Sequence, residues 1–208
     1  VCIIFDVLRA SSTIVPALEN GAKAIIPVSE ISEALELKKK QPEVLLAGER
    51  DGLKIRAEQS GGVNFDLGNS PREFMPEKIH GHTIVMTTTN GTSALRTCAS
   101  AKMVLAASFL NLNATVGFLK QTKFENILIV CAGTGEAAAL EDVLAAGALC
   151  AKLTGKFSDA AQIARGFYEA NRFDLGAAVC GAANAQRLLA IPDLRGDVSF
   201  CLRQDEID

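Results

Sequence analysis

The chain has no tryptophan, one tyrosine and only two histidines, and each scarcity removes a kind of chemistry. His80 and His82 flank Gly81, so a histidine-based triad or a histidine-rich zinc centre would have to be built from one short segment that reads first as a solvated turn. The six cysteines (Cys2, Cys98, Cys131, Cys150, Cys180, Cys201) stand at least 19 residues apart, which excludes a C-x-x-C pair, zinc-ribbon spacing and a dense disulfide framework. Reduced thiols in a cytoplasm are the expectation. A basic excess is missing too: 21 Lys+Arg against 24 Asp+Glu leave a net charge of −3, and no positive field draws nucleic acid. Apolar runs such as Ile127–Ala132 are strand-sized, far below the ~20 residues of a membrane-spanning helix, so no membrane partner is expected. Val1 enters a strand-like run with no initiator methionine and no signal peptide, and a few residues are expected to precede it.

What is present is the pattern of one α/β domain over residues 1–208, with 49% apolar and 22% charged residues. Cys2–Phe5, Ala24–Val28, Val44–Ala47, Thr83–Met86, Met103–Ala106 and Ile127–Cys131 read as strands, with a last strand at Asp197–Leu202. Continuous apolar runs predict a sheet covered by helices on both faces, a three-layer α/β/α sandwich. Ser29–Lys40 is a predicted helix with Ser29 as N-cap and Pro42 as stop, and Leu140–Leu153, Ser158–Tyr168 and Leu175–Ala190 are three more. A strand, polar loop, helix, strand, helix, strand order occurs twice, in residues 1–52 and 83–155. Its offset drifts from 77 (Ala17 to Ala94) to 85 (Gly48 to Gly133). Two similar, intertwined halves are therefore expected. Between them Asp51–Gly81 has little periodicity and reads as a lid-like connection.

The polar loops follow strands, which in a parallel sheet gathers them at the carboxyl edge where ligands bind. Asp6-Val7-Leu8-Arg9-Ala10-Ser11-Ser12-Thr13 offers a carboxylate, a guanidinium and hydroxyls at a helix start. Thr87-Thr88-Thr89-Asn90-Gly91-Thr92-Ser93 offers five hydroxyls and a glycine. Such loops bind anionic oxygens, although either alone reads equally as ordinary helix capping. Asp6, Glu49, Glu141 and Asp142 bring carboxylates to the same edge, and an oxygen-only ligand set points to Mg²⁺. Gly133-Thr134-Gly135-Glu136-Ala137-Ala138 matches a dinucleotide fingerprint in form, but no strand ending in an acid follows at the required distance. Walker, Cys-x₅-Arg and D-x-D phosphatase motifs are absent.

The strings Asp6–Thr13, Ala47–Gly52, Asp66–Pro71, Thr87–Thr92 and Cys131–Thr134 with Leu140–Asp142, followed by Phe200–Leu202, resemble the 2-phosphosulfolactate phosphatase family in order and over nearly the whole length. The resemblance implies a Mg²⁺-dependent phosphatase acting on a small phosphorylated 2-hydroxy acid with a second acidic group, in the route to coenzyme M. It implies Asp6, Glu49, Glu141 and Asp142 as metal-site acids, with Asp6, Arg9, Glu49 and Asn90 catalytic. Arg9, Thr89, Asn90 and Thr92 are expected to hold the phosphate, Arg50, Asn69 and Ser70 the carboxylate or sulfonate end, with Ser12, Thr13, Thr88, Gly91, Gly133 and Thr134 also binding substrate. A homodimer is compatible with the pattern. Two other readings stand beside it, a non-catalytic module that binds an acidic metabolite and a dinucleotide-binding oxidoreductase.

Overall fold

Six strands fall where the apolar runs place them: β1 (Cys2–Phe5), β2 (Ala24–Pro27), β3 (Leu45–Arg50), β5 (Thr83–Thr87), β6 (Val104–Ala107) and β7 (Leu128–Cys131). A two-residue β4 (Leu53–Lys54) turns back antiparallel on the end of β3. The structure, a computed structural model, describes residues 1–208. The helices are α1 (Ala10–Glu19), α2 (Ile31–Lys40), α3 (Ala57–Ser60), α4 (Pro76–Ile79), α5 (Gly91–Thr97), α6 (Leu112–Thr122), α7 (Leu140–Lys152), α8 (Asp159–Asn171), α9 (Leu175–Cys180), α10 (Ala183–Ala190) and α11 (Arg195–Cys201).

The strands form two sheets in place of the single one expected, ordered β6-β1-β7 and β2-β5-β3-β4. All pairings except β3 with β4 are parallel. β1 lies between two strands from the second part of the chain, while β5 lies between two from the first. Parallel neighbours need crossovers, and here the crossovers run between the two parts, so each sheet is incomplete without the other.

Alternate residues of β5 enter different apolar layers, as a strand covered on both faces requires. Ile84 and Met86 pack with Ile14 and Ala17 of α1 and with Leu67, Phe74 and Ile79. Val85 packs with Ala34 of α2, Ile55 and Phe65. Around the three-stranded sheet, Ile3 and Phe5 join the largest cluster with Leu144 and Leu149 of α7 and Val198 and Cys201 of α11. The mixed α/β architecture with helices on both sides of parallel strands is the layered sandwich expected. Residues 51–81 are tied into it: Ile55, Phe65, Phe74 and Ile79 are 0–2% exposed.

Three local expectations are corrected. Asp197–Leu202 is not a strand but lies in and just after α11, because the alternating Val198, Phe200 and Leu202 are outweighed by Asp197 and Cys201, four apart and both fully buried on one helical face. Leu175–Ala190 is two helices, broken at Gly181 and Ala182. Ser29 does not cap α2. The N-cap position is Glu30, and the Ser29 carbonyl accepts instead from Thr87 Oγ1 (3.1 Å) and Arg50 Nη2 (3.4 Å).

Candidate active site

The carboxyl ends of β1, β3 and β5 converge on a small polar cleft whose floor carries Asp6, Arg9, Glu49, Asn69, Thr89 and Asn90. Asp6 leaves β1 straight into a tight turn. Its N–H donates to Ser11 Oγ (3.0 Å), and its Oδ1 accepts from Ala10 N–H (3.0 Å) at the start of α1. Oδ2 has no protein donor and faces Gly91, where an added methyl group would run into Asp6 Oδ2 and Ala10 Cβ. The starts of α1 and α5 thus meet over one carboxylate, a packing only glycine permits.

Glu49 at the end of β3 accepts from Thr89 N–H through Oε1 (2.8 Å) and from Gly52 N–H through Oε2 (2.7 Å), joining two loops. Asp142, in the first turn of α7, does the same for the other sheet, accepting from Val7 N–H (2.8 Å) and Gly133 N–H (3.1 Å). Glu141 accepts from Asn184 Nδ2 through Oε1 (2.7 Å), while its Oε2 is buried without a partner. Burial raises the Asp6 carboxyl to about 7; the Ala10 N–H opposes that, Glu49 and Glu141 add to it, and Arg9 opposes it more weakly. Burial and then the Asp6 charge push Asp142 well above the usual carboxylate range, against the pull of the Val7 N–H.

Arg9, 4% exposed, is fixed by Asp197 Oδ2 (2.7 Å) and the Gly52 carbonyl (2.6 Å). Asp197 is fully buried, and its Oδ1 accepts from Ser70 Oγ (2.7 Å) and Arg72 Nε (2.8 Å). A charge buried this deeply is tolerated because three donors surround it.

Several expected ligand residues face elsewhere. Arg50 points away from the cleft to the Glu49 carbonyl (2.7 Å) and Thr87 Oγ1 (3.1 Å). Ser70 is occupied by Asp197. Thr88 and Thr92 satisfy each other's backbone, Thr88 N–H donating to Thr92 Oγ1 (3.0 Å) and Thr92 N–H to Thr88 Oγ1 (3.1 Å), so they shape the loop. Thr13 Oγ1 donates to the Asn69 carbonyl (3.0 Å), and Ser12 is buried with its hydroxyl unpartnered. Gly133 and Thr134 support Asp142 and Asn184. The Gly133–Ala137 loop closes on itself through Thr134 and Ala137, and a side chain at Gly133 would meet the Ala137 carbonyl, so it opens no cradle for a dinucleotide. Cys131, raised by burial to about 12, stays a protonated thiol.

Sequence reading missed the far wall of the cleft. Asn184, Arg187 and Leu188 of α10 line it, as does Gly52. Their i, i+3, i+4 spacing was visible, but it marks a helix face and not the neighbour that face meets.

An α/β protein whose parallel strands end in a cleft of buried acids and a fixed guanidinium belongs to the broad class that handles small anions. The comparisons narrow the class: a family model described as 2-phosphosulpholactate phosphatase matches residues 1–208. A probable 2-phosphosulfolactate phosphatase of Thermotoga maritima is 44% identical over 204 residues, covering 98% of this chain and 84% of its own. Proteins of the same name from Caldanaerobacter subterraneus and a Synechococcus strain are 41% and 35% identical, over 99% and 97% of this chain and 84% of each relative. The chain belongs to the 2-phosphosulfolactate phosphatase family, a family of phosphoric monoester hydrolases.

Proposed function

We propose that the cleft hydrolyses the phosphate ester of a small 2-hydroxy acid with a second acidic group, 2-phosphosulfolactate, to phosphate and 3-sulfolactate. The observation that carries this reading is Asp6, a buried carboxylate held near neutrality with Oδ2 free of protein donors, beside a guanidinium locked in place. At neutral pH Asp6 Oδ2 takes a proton from the attacking water as its oxygen bonds to phosphorus and the ester P–O bond breaks, and the departing alkoxide gains a proton from solvent. Arg9 faces the equatorial oxygens, where charge is spread in the transition state, and needs no reorganisation because Asp197 already holds it. Asn90 Oδ1 accepts from Gly135 N–H (3.2 Å), which fixes its amide with the NH₂ free for the phosphate, and Thr89 adds a hydroxyl.

The acids fit Mg²⁺. No three histidine, cysteine or acidic side chains converge as a ready-made cage, and Mg²⁺ asks for only one or two carboxylates beside waters and substrate oxygens. Both oxygens of Glu49 and of Asp142 already accept backbone N–H groups, which leaves Glu141 Oε2 and Asp6 Oδ2; with Asp6 assigned as the base, Glu141 would hold the ion, Asp142 lying beside it. Bound there, Mg²⁺ would offset phosphate charge.

Following free phosphate from 2-phosphosulfolactate, with Mg²⁺ and then with EDTA, tests the proposal. Release that stops with chelation is expected; tight binding without release would make the protein a metabolite-binding module. Glu141→Gln should erase the Mg²⁺-induced rise in melting temperature and Asp6→Asn should keep it while abolishing release. Loss of the rise in Asp6→Asn would make Asp6 a ligand and not the base.

A further inference from the structure

The cleft contains one cation with nothing to hold it. Arg9 is paired with Asp197, Arg72 with the same carboxylate, and Arg50 is turned to main-chain and hydroxyl oxygens. Arg187 lines the cleft from α10, yet it forms no ion pair and donates no hydrogen bond to the protein. A Cβ added at Gly52 would lie 3.8 Å from Arg187 Cδ and 3.9 Å from Arg9 Nη2, so the stem of Arg187 and the guanidinium of Arg9 flank the same glycine. The two differ in depth: Arg9 is 4% exposed at the floor, whereas Arg187 is exposed at the mouth.

Its position is nevertheless defined. Asn184, three residues earlier and buried, donates from Nδ2 to Glu141 Oε1 (2.7 Å) and Thr134 Oγ1 (2.8 Å), clamping α10 to the acid floor. Gly52 lies between Arg9 at the floor and Arg187 at the mouth, and Glu49 lines the same cleft, so a ligand whose phosphate rested at Arg9 would have Gly52 and Arg187 on its way out. The acids of that lining, Asp6 and Glu49, oppose a second negative group, and Arg187 is the cation placed to offset them.

We propose that Arg187 is the receptor for the substrate's second acidic group, carboxylate or sulfonate, and so selects diacid phosphate esters over simple ones. This rests on the phosphatase reading and adds a residue and a selectivity to it. The planar guanidinium matches either oxyanion in a two-pronged contact, which a lysine cannot reproduce.

The test measures kcat/KM for 2-phosphosulfolactate and for p-nitrophenyl phosphate, which has no second acid, in the wild type, Arg187→Met and Arg187→Lys. Because Arg187 is exposed, these variants should fold, which circular dichroism checks. The ratio of the two kcat/KM values should fall about 30-fold in Arg187→Met, chiefly through KM, and recover partly in Arg187→Lys. An unchanged ratio would overturn the proposal, as would equal losses on both esters. Calorimetric binding of 3-sulfolactate, which keeps both acidic groups and lacks phosphate, separates this from the parent reading. About tenfold weaker binding in Arg187→Met supports the receptor even if no ester is hydrolysed, whereas equal binding refutes it even if both are.

Discussion

Asp6 shows at the residue scale how a buried carboxyl opposes stability. Its carboxyl rises from an ordinary 3.8 to about 7 in the fold, so the folded chain keeps a proton that the unfolded chain releases between those values. Stability should therefore fall as pH rises from about 4 to about 7 through Asp6, with Asp142 acting in the same direction. In EDTA, Asp6→Asn should melt higher than the wild type at pH 8, the gap closing towards pH 4, while phosphate release is lost. Thermal melts across pH read the sign directly; a less stable Asp6→Asn at pH 8 would contradict it. Asp197 makes the opposite point, a buried charge the fold needs. Asp197→Ala strands Arg9 in the interior and should cost about 3–5 kcal/mol of stability by denaturant titration. Asp197→Asn should fold better yet still lower kcat, since Arg9 loses its charged anchor.

Among elements, the junction of α1 and α5 is the sharpest constraint. Gly91→Ala would push a methyl into Asp6 and Ala10, and the expected result is a folded protein with kcat/KM reduced at least about 100-fold. Near wild-type turnover would mean the two helix starts can separate freely. Gly147 plays the corresponding structural part between α7 and α8, where a methyl would collide with the Ala164 carbonyl. Gly147→Ala should lower the melting temperature by several degrees without a specific effect on kcat. Period-two apolarity in Val198, Phe200 and Leu202 imitates a strand, and only the burial of Asp197 against Arg9 and Arg72 shows why a helix wins.

At the scale of the whole molecule, the exchanged strands make folding collective. β1 has no partner in residues 1–82, and β5 has none in residues 83–208, because each is paired with strands of the other part. The chain should unfold in one cooperative transition. Neither fragment should show a melting transition alone, and mixing the two should restore one, as circular dichroism can follow. The exchange brings Asp6 from one sheet beside Glu49 and Asn90 from the other.

Strand positions, the parallel sandwich and the acids and hydroxyls of the floor were legible in the amino-acid order, since apolar periodicity and residues directly after strands depend on neighbours a few positions apart. The division into two sheets was not, because pairing joins β1 to strands about a hundred residues away and each strand's own pattern fits either sheet. Nor could the order show which hydroxyls and guanidiniums reach the cleft. Thr88, Thr92, Ser70 and Arg50 carry suitable groups, but their nearest partners are backbone and Asp197, and hydrogen-bond competition is decided by distance in space. Arg187 is the converse case: an unremarked residue on a C-terminal helix lines the cleft because Ala185 and Leu188 bury that helix in the core and Asn184 fastens it to Glu141, a contact across 43 residues.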